Sequence, residues 1–116
     1  MRISKQILNE SIKKELYNTL AQAIADLHSK DETLQFLNDF FTASELEAFA
    51  KRLAVAYWLK KKRTYKNIKD NLKVSSATIA STDKDMKKLG FQIILKKIEA
   101  EEWADVWAER IKRFNK

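Results

Sequence analysis

The middle of the chain carries a dense set of cationic side chains, and these are the first residues in the sequence that could do chemistry. Ammonium and guanidinium groups bind phosphate oxygens, and each phosphate that they neutralise on DNA releases counterions. The set comprises Lys60, Lys61, Lys62, Arg63, Lys66, Lys69 and Lys73. One interpretation is a phosphate-binding surface. The other is that Lys60–Arg63 simply end a helix, because the helix dipole favours cations at its C-terminus.

The positive charge is concentrated in this part of the chain. The formal net charge of the whole chain is +7. Residues 51–88 hold 12 Lys/Arg against 3 Asp/Glu, whereas residues 1–50 hold 5 against 8. Such a local excess, with nearly neutral or acidic segments on either side, favours a polyanion as the partner.

A group of hydroxyl side chains follows the basic run. Its members are Ser75, Ser76, Thr78, Ser81 and Thr82. Hydroxyls can cap a helix, bond phosphates, or reach bases through water, whereas the bidentate readers of G and A are Arg, Lys, Asn and Gln. We therefore predict that these five residues face the bases and that phosphate contacts supply most of the affinity.

The elements that must position these side chains are helices. The chain has no Pro and one Gly, so it lacks the turn residues that strand-rich folds need. Apolar residues recur every three or four positions, which is typical of amphipathic helices. We predict an all-α, single-domain protein over residues 1–116, with a helical scaffold at 1–63, a helix-turn-helix at 64–88 and a C-terminal helix at 89–116.

The helix-turn-helix is predicted from two short helices, 65–72 and 76–88, joined by Lys73-Val74-Ser75. Thr64 can cap the first helix, and Ser75 or Ser76 the second. Lys73 stands where Gly is common, so a left-handed Lys would cost about 1 kcal/mol there. Ile68 and Leu72 are expected to face inward from the first helix, with Val74 filling the turn. Ala77 and Ile79 belong to the second helix, where a small residue permits close approach of the pair. Gly90 is expected to end the second helix in a left-handed conformation.

Segments on both sides of this motif resemble the Trp repressor superfamily, and its YerC/YecD-like branch in particular. The segment Phe41-Thr42-Ala43-Ser44-Glu45-Leu46 with Lys51-Arg52 is similar to the entry of that family's central helix. The segments Thr64-Tyr65 and Ser75-Ser76-Ala77-Thr78-Ile79 resemble its reading head. The resemblance covers about residues 15–98 and implies an intertwined homodimer that binds double-stranded DNA as a transcriptional regulator. The run Leu53–Leu59, apolar on all sides, also favours a partner subunit.

The chain departs from the family at the tryptophan clamp. In the Trp repressor two arginines help to hold tryptophan; one of them matches Arg52, which is therefore a weak candidate for ligand binding, although a salt bridge is the simpler role. The other position is Ser81, and its glycine neighbour is Thr82. We therefore predict a regulator that does not respond to tryptophan.

Other classes of protein fit the sequence less well. The longest apolar run, Leu53–Leu59, is far shorter than the roughly 20 residues of a membrane span. With one His (His28), one Gly and no Cys, the usual nucleophile, zinc and phosphate-loop motifs are missing. We expect a soluble, cytoplasmic protein with no catalytic residue, metal or cofactor.

Two alternatives stay open from the sequence alone. One is a helical interaction module that has kept the fold without reading DNA, which the loss of an arginine at Ser81 favours. The other concerns the C-terminal helix, where Trp103 and Trp107 lie one turn apart. They suit a core or dimer contact, or a docking surface for another protein.

Overall fold

The structure is a computed structural model that describes the backbone of residues 6–114 and the side chains of residues 6–102. Within that range the chain forms six α-helices and no strand, which confirms the all-α prediction. The helices are α1 Glu10–Ala25, α2 Lys30–Phe40, α3 Ala43–Lys60, α4 Tyr65–Leu72, α5 Ser76–Asp85 and α6 Leu89–Phe114. None of the described helices is long and apolar enough to cross a membrane.

The chain divides into two compact units, Met1–Leu46 and Glu47–Lys116, with the boundary inside α3. The described part of the first unit contains α1 and α2, and neither helix has a buried residue. Side-chain caps fix where these helices begin. The Oδ1 atom of Asn9 accepts from the backbone N–H of Ser11 at 2.8 Å, and the hydroxyl of Ser29 accepts from that of Glu32 at 3.0 Å.

The predicted capping box before α3 is present in both directions. The backbone N–H of Thr42 donates to Oε1 of Glu45 at 2.9 Å, and the N–H of Glu45 donates to the Thr42 hydroxyl at 3.1 Å. Hydrogen bonds from the backbone of Thr42, and then from its side chain, hold the pKa of Glu45 below its usual value. Two otherwise unpaired N–H groups at the helix start are satisfied in this way.

The second unit contains the rest of α3 with α4, α5 and α6. A core cluster of this unit consists of Val55 from α3, Ile68 from α4 and Ile79 from α5, each fully buried, and Ala56 and Leu95 are fully buried as well. Trp58, Leu59, Leu72 and Val74 pack against this cluster and are partly buried. Residues in the apolar run of α3 thus form the surface against which α4 and α5 pack.

The prediction for Gly90 is wrong. The helix α5 ends at Asp85, and Gly90 lies in the first turn of α6 without a positive φ angle. The turn between the helices is closed by other groups: the backbone N–H of Met86 donates to the Thr82 carbonyl at 2.8 Å, and Nε2 of Gln92 donates to the Met86 carbonyl at 2.6 Å. A glycine is therefore not needed to end α5.

Candidate nucleic-acid interface

The predicted helix-turn-helix is present as α4, a three-residue turn and α5. The Thr64 hydroxyl accepts from the N–H of Asn67 and the Ser75 hydroxyl from the N–H of Thr78, each at 3.1 Å, so each helix begins at a side-chain cap. Lys73 ends α4 in the left-handed region, with φ 55° and ψ 50°. The caps and the left-handed Lys73 follow the sequence prediction. Ala77, expected as the small residue where the two helices approach closely, is instead exposed.

Apolar contacts hold the two helices against each other. Ile68 and Ile79 are fully buried, and Val74 from the turn packs against them. A short helix cannot persist alone in water, so this shared core is what keeps α4 and α5 in place. Because α5 is anchored through its inner side, its outer side is left to meet a partner.

A hydrogen bond joins the helices at the end away from the turn. The hydroxyl of Tyr65 donates to Oδ2 of Asp83 at 2.6 Å. That hydrogen bond, followed by partial desolvation, raises the pKa of Tyr65. From the sequence, Asp83 could instead have paired with Lys87 one turn later. The observed partner lies on the other helix, and spacing along one helix does not reveal it.

Five of the seven predicted phosphate-binding cations are exposed and make no ion pair within the described residues. They are Lys62, Arg63, Lys66, Lys69 and Lys73. The Arg63 guanidinium lies 4.0 Å from the centre of the Trp58 ring and bonds Oδ1 of Asn67 at 3.3 Å. A guanidinium held over an aromatic face is pre-positioned, so less side-chain freedom is lost when it binds a phosphate.

The two remaining cations are engaged elsewhere. The Nζ atom of Lys60 lies 3.3 Å from Oε1 of Glu99, and that of Lys61 lies 3.1 Å from Oε2 of Glu102. The hydroxyl of Tyr57 also donates a hydrogen bond to Glu102. These contacts tie the end of α3 to α6. For Lys60 and Lys61 a phosphate must displace a carboxylate, so they are weaker candidates than the other five cations.

Two further cations that sequence reasoning did not include lie in the same region. Lys87 lines an open cleft of about 510 Å³ together with Lys60, Lys62 and Arg63, and Asp83 provides the one carboxylate in it. Lys84 is exposed on α5. Both lysines contribute to the positive net charge of residues 51–88, but neither belongs to the set of seven cations predicted to bind phosphate.

The five hydroxyl-bearing residues that were predicted to face the bases fall into three kinds in the structure. Ser75 caps α5, and its Oγ lies 2.9 Å from Oγ1 of Thr78, so these two hydroxyls satisfy each other. Ser76 and Ser81 are exposed. Thr82 is only 4% exposed, so its assignment to the base-facing set is wrong. It lies three residues after the buried Ile79 and therefore on the inward face of α5.

Arg52, the weak candidate for ligand binding, is exposed on α3 and its guanidinium lies 5.8 Å from the centre of the Phe49 ring. It takes part in none of the ion pairs found among the described residues, so the alternative salt bridge is not seen. The part of the chain with described side chains holds no group of three or more His, Cys, Asp or Glu suited to a metal ion. The side chains of Trp103 and Trp107 lie outside the described residues, so their predicted role stays a prediction.

Comparison with known proteins agrees with this geometry. The model of the family described as Trp repressor protein matches residues 15–99. A solved structure of a TrpR-like protein from Eubacterium eligens ATCC 27750 has a TM-score of 0.70 and 28% sequence identity, covering 78% of this chain and 96% of that chain. No curated protein matches the chain. The matched region includes the capping box before α3, the basic run and the whole helix-turn-helix, and the chain belongs to the Trp repressor family.

Proposed function

We propose that this protein is a dimeric transcriptional regulator that binds specific sequences in double-stranded DNA and does not respond to tryptophan. At family level it is a helix-turn-helix DNA-binding regulator. The observation that carries the proposal is the combination of an anchored α5 with exposed cations on α4 and in the turn. Those cations can hold the phosphate backbone while α5 enters the major groove.

Phosphate binding is assigned first to Lys62, Arg63, Lys66, Lys69 and Lys73. Their exposure supports this assignment, because none of them must leave a carboxylate of the described residues to reach DNA. Lys66 and Lys69 lie on α4, the helix that crosses the backbone in this motif. Lys73 extends the set into the turn that leads to α5.

Dimerisation is supported by the outer face of α1. Ile12, Leu16, Leu20 and Ile24 follow one another at four-residue intervals and are between 42% and 54% exposed in the single chain. Such a stripe of large apolar side chains on one helix favours burial against another subunit. A symmetric dimer would place its two reading heads on half-sites about one DNA turn, ~34 Å, apart.

The absence of a tryptophan response is proposed from the residues at the clamp position. Ser81 is exposed and uncharged, and Thr82 is buried, so neither offers a cation to a carboxylate ligand. Arg52 remains the single cation of the expected pair. One cation on an open surface would hold a free amino acid weakly, because its charge is screened by water.

Selection from a random-sequence duplex library tests the proposal. The full chain is immobilised, bound duplexes are amplified over several rounds, and the pool is sequenced. We expect an enriched inverted repeat whose half-sites are about one turn apart. A variant with Lys66→Ala and Lys69→Ala should enrich the same motif with lower yield. Failure of the wild-type chain to enrich any motif would instead favour the helical interaction module.

A further inference from the structure

The outer face of α5 carries unusually short side chains. Its exposed residues on this face are Ser76, Ala77, Ala80, Ser81 and Lys84, and their spacing places them on one side of the helix. Four of the five side chains end at or one atom beyond the Cβ. The helix backbone can therefore approach the floor of a groove closely, with Lys84 as the one long side chain at the end of this face.

Several other residues of α5 make contacts within the protein. Ile79 and Thr82 are buried, and Asp83, at the edge of the exposed face beside Ala80, accepts the hydrogen bond from Tyr65. Ser75 is used as the helix cap and is paired with Thr78. The chemistry that this exposed face can offer to DNA is thus two methyl groups, two hydroxyls and one ammonium group.

The methyl groups of Ala77 and Ala80 determine which part of a base this surface can contact. Neither an amide nor a guanidinium is present on the exposed face, so the paired hydrogen bonds that recognise G and A by those groups are not available. The ammonium group of Lys84, at the end of the face, is the one group on it that can contact G in that way. The apolar feature in the major groove is the C5-methyl of thymine, which alanine methyls contact. We propose that Ala77 and Ala80 determine specificity by packing against thymine methyl groups, an inference that rests on the proposed binding to duplex DNA.

The spacing of the two alanines sets the size of the thymine-containing element. Residues three apart on a helix have Cβ atoms about 5–6 Å apart. Successive base pairs rise by about 3.4 Å along a strand. Ala77 and Ala80 therefore span one to two base-pair steps, and they match two neighbouring thymines within a half-site rather than a long tract.

Exchange of the thymine methyl for hydrogen tests this directly. One random-sequence duplex pool is prepared with thymidine, a second with deoxyuridine in its place, and a third with deoxyuridine and 5-methylcytosine. Binding to the full chain is measured by competition against a labelled duplex of the first pool. We expect the thymidine pool to bind more tightly than the deoxyuridine pool, by about fourfold for each methyl group that is buried, as one buried methyl contributes ~0.8 kcal/mol. The third pool should recover part of the loss.

Alanine variants assign the effect to the two residues. Ala77→Ser and Ala80→Ser should each reduce the preference for thymidine over deoxyuridine, whereas Ala100→Ser on the exposed surface of α6 should leave it unchanged. Circular dichroism confirms that each variant is folded. Equal binding of the thymidine and deoxyuridine pools by the wild-type chain overturns this inference and leaves the proposed function standing. No binding to any pool overturns both.

Discussion

The hydroxyl of Tyr65, at the first position of α4, donates a 2.6 Å hydrogen bond to the carboxylate of Asp83 on α5. The turn connects the two helices at one end, and this hydrogen bond connects them at the other. Between these ends lie the buried side chains of Ile68 and Ile79. The relative position of α4 and α5 is therefore fixed at three points, which are the covalent turn, the hydrogen bond and the apolar contact.

We expect the contribution of this hydrogen bond to stability to disappear at high pH. The pKa of Tyr65 is raised in the folded chain above its ordinary value of 10.0. Below pH 10.0 the hydroxyl keeps its proton in both states and the stabilisation is fully present. As the pH rises through the folded-state pKa, the phenolate can no longer donate and the stabilisation is lost.

Urea unfolding of the wild type and of Tyr65→Phe checks this prediction. The wild type should be the more stable chain at neutral pH, and the difference should close above pH 10.0. Tyr17→Phe, on the exposed surface of α1, is the matched control and should show no such difference. A Tyr65→Phe variant that is as stable as the wild type at neutral pH would contradict the account.

Lys73→Gly should make the protein more stable and weaken its binding to DNA. Lys73 has φ 55°, a left-handed conformation that costs a residue with a Cβ about 1 kcal/mol and that glycine adopts freely. Chemical denaturation should therefore show a gain of about 1 kcal/mol. The same change at Lys69, in the middle of α4, should lose about 1 kcal/mol, because glycine weakens a helix interior. Equal effects at the two positions would argue against the left-handed turn.

Ser75→Ala should destabilise the protein through the start of α5. The Ser75 hydroxyl accepts from the N–H of Thr78, and replacing such a cap by Ala costs about 1 kcal/mol. Ser76→Ala, one residue later, is the control, since the Ser76 hydroxyl forms no hydrogen bond among the described residues. Both are measured by chemical denaturation at one protein concentration, because association would otherwise shift the midpoints. A loss at Ser76 as large as that at Ser75 would contradict the assignment.

The features that the sequence predicted well are local ones. The caps at Thr64 and Ser75, the left-handed Lys73 and the inward positions of Ile68 and Ile79 each depend on residues within a few positions of one another. The burial of Thr82 is also predictable from the sequence, because Thr82 follows Ile79 by three residues and such residues share one face of a helix. The prediction for Gly90 is wrong because a glycine after a helix does not by itself end it; Gln92 and the Met86 backbone close that end of α5.

The features that the sequence did not reveal depend on contacts between distant segments. The ion pair of Lys60 with Glu99 and the hydrogen bond from Tyr65 to Asp83 join different helices. No periodicity along one helix identifies such partners. They bear on the proposed function, because the ion pair engages one of the predicted phosphate-binding cations and the hydrogen bond holds the Asp83 carboxylate against Tyr65.

We expect the purified chain to sediment as a dimer. The apolar stripe of α1, which includes Leu16 at 54% exposure, gives the reason, since a second subunit would remove it from water. Sedimentation equilibrium should give twice the 13.6 kDa mass of one chain. Leu16→Glu should shift the protein towards the monomer, and Asn18→Glu, on the other side of α1, should not. A wild-type mass of 13.6 kDa at all concentrations would contradict the dimer.

The most direct test of the central claim compares two pairs of cations on the same duplex. Fluorescence anisotropy of a labelled random-sequence duplex gives the affinity from low to moderate salt for the wild type, for Lys66→Ala with Lys69→Ala, and for Lys60→Ala with Lys61→Ala. Each phosphate contact that is lost should reduce the log–log salt slope by about 0.9. We predict a clearly flatter slope for the Lys66 and Lys69 variant, and a smaller change for the Lys60 and Lys61 variant, whose cations are paired with Glu99 and Glu102. No binding at low salt, or a slope that is indifferent to Lys66 and Lys69, would contradict the account.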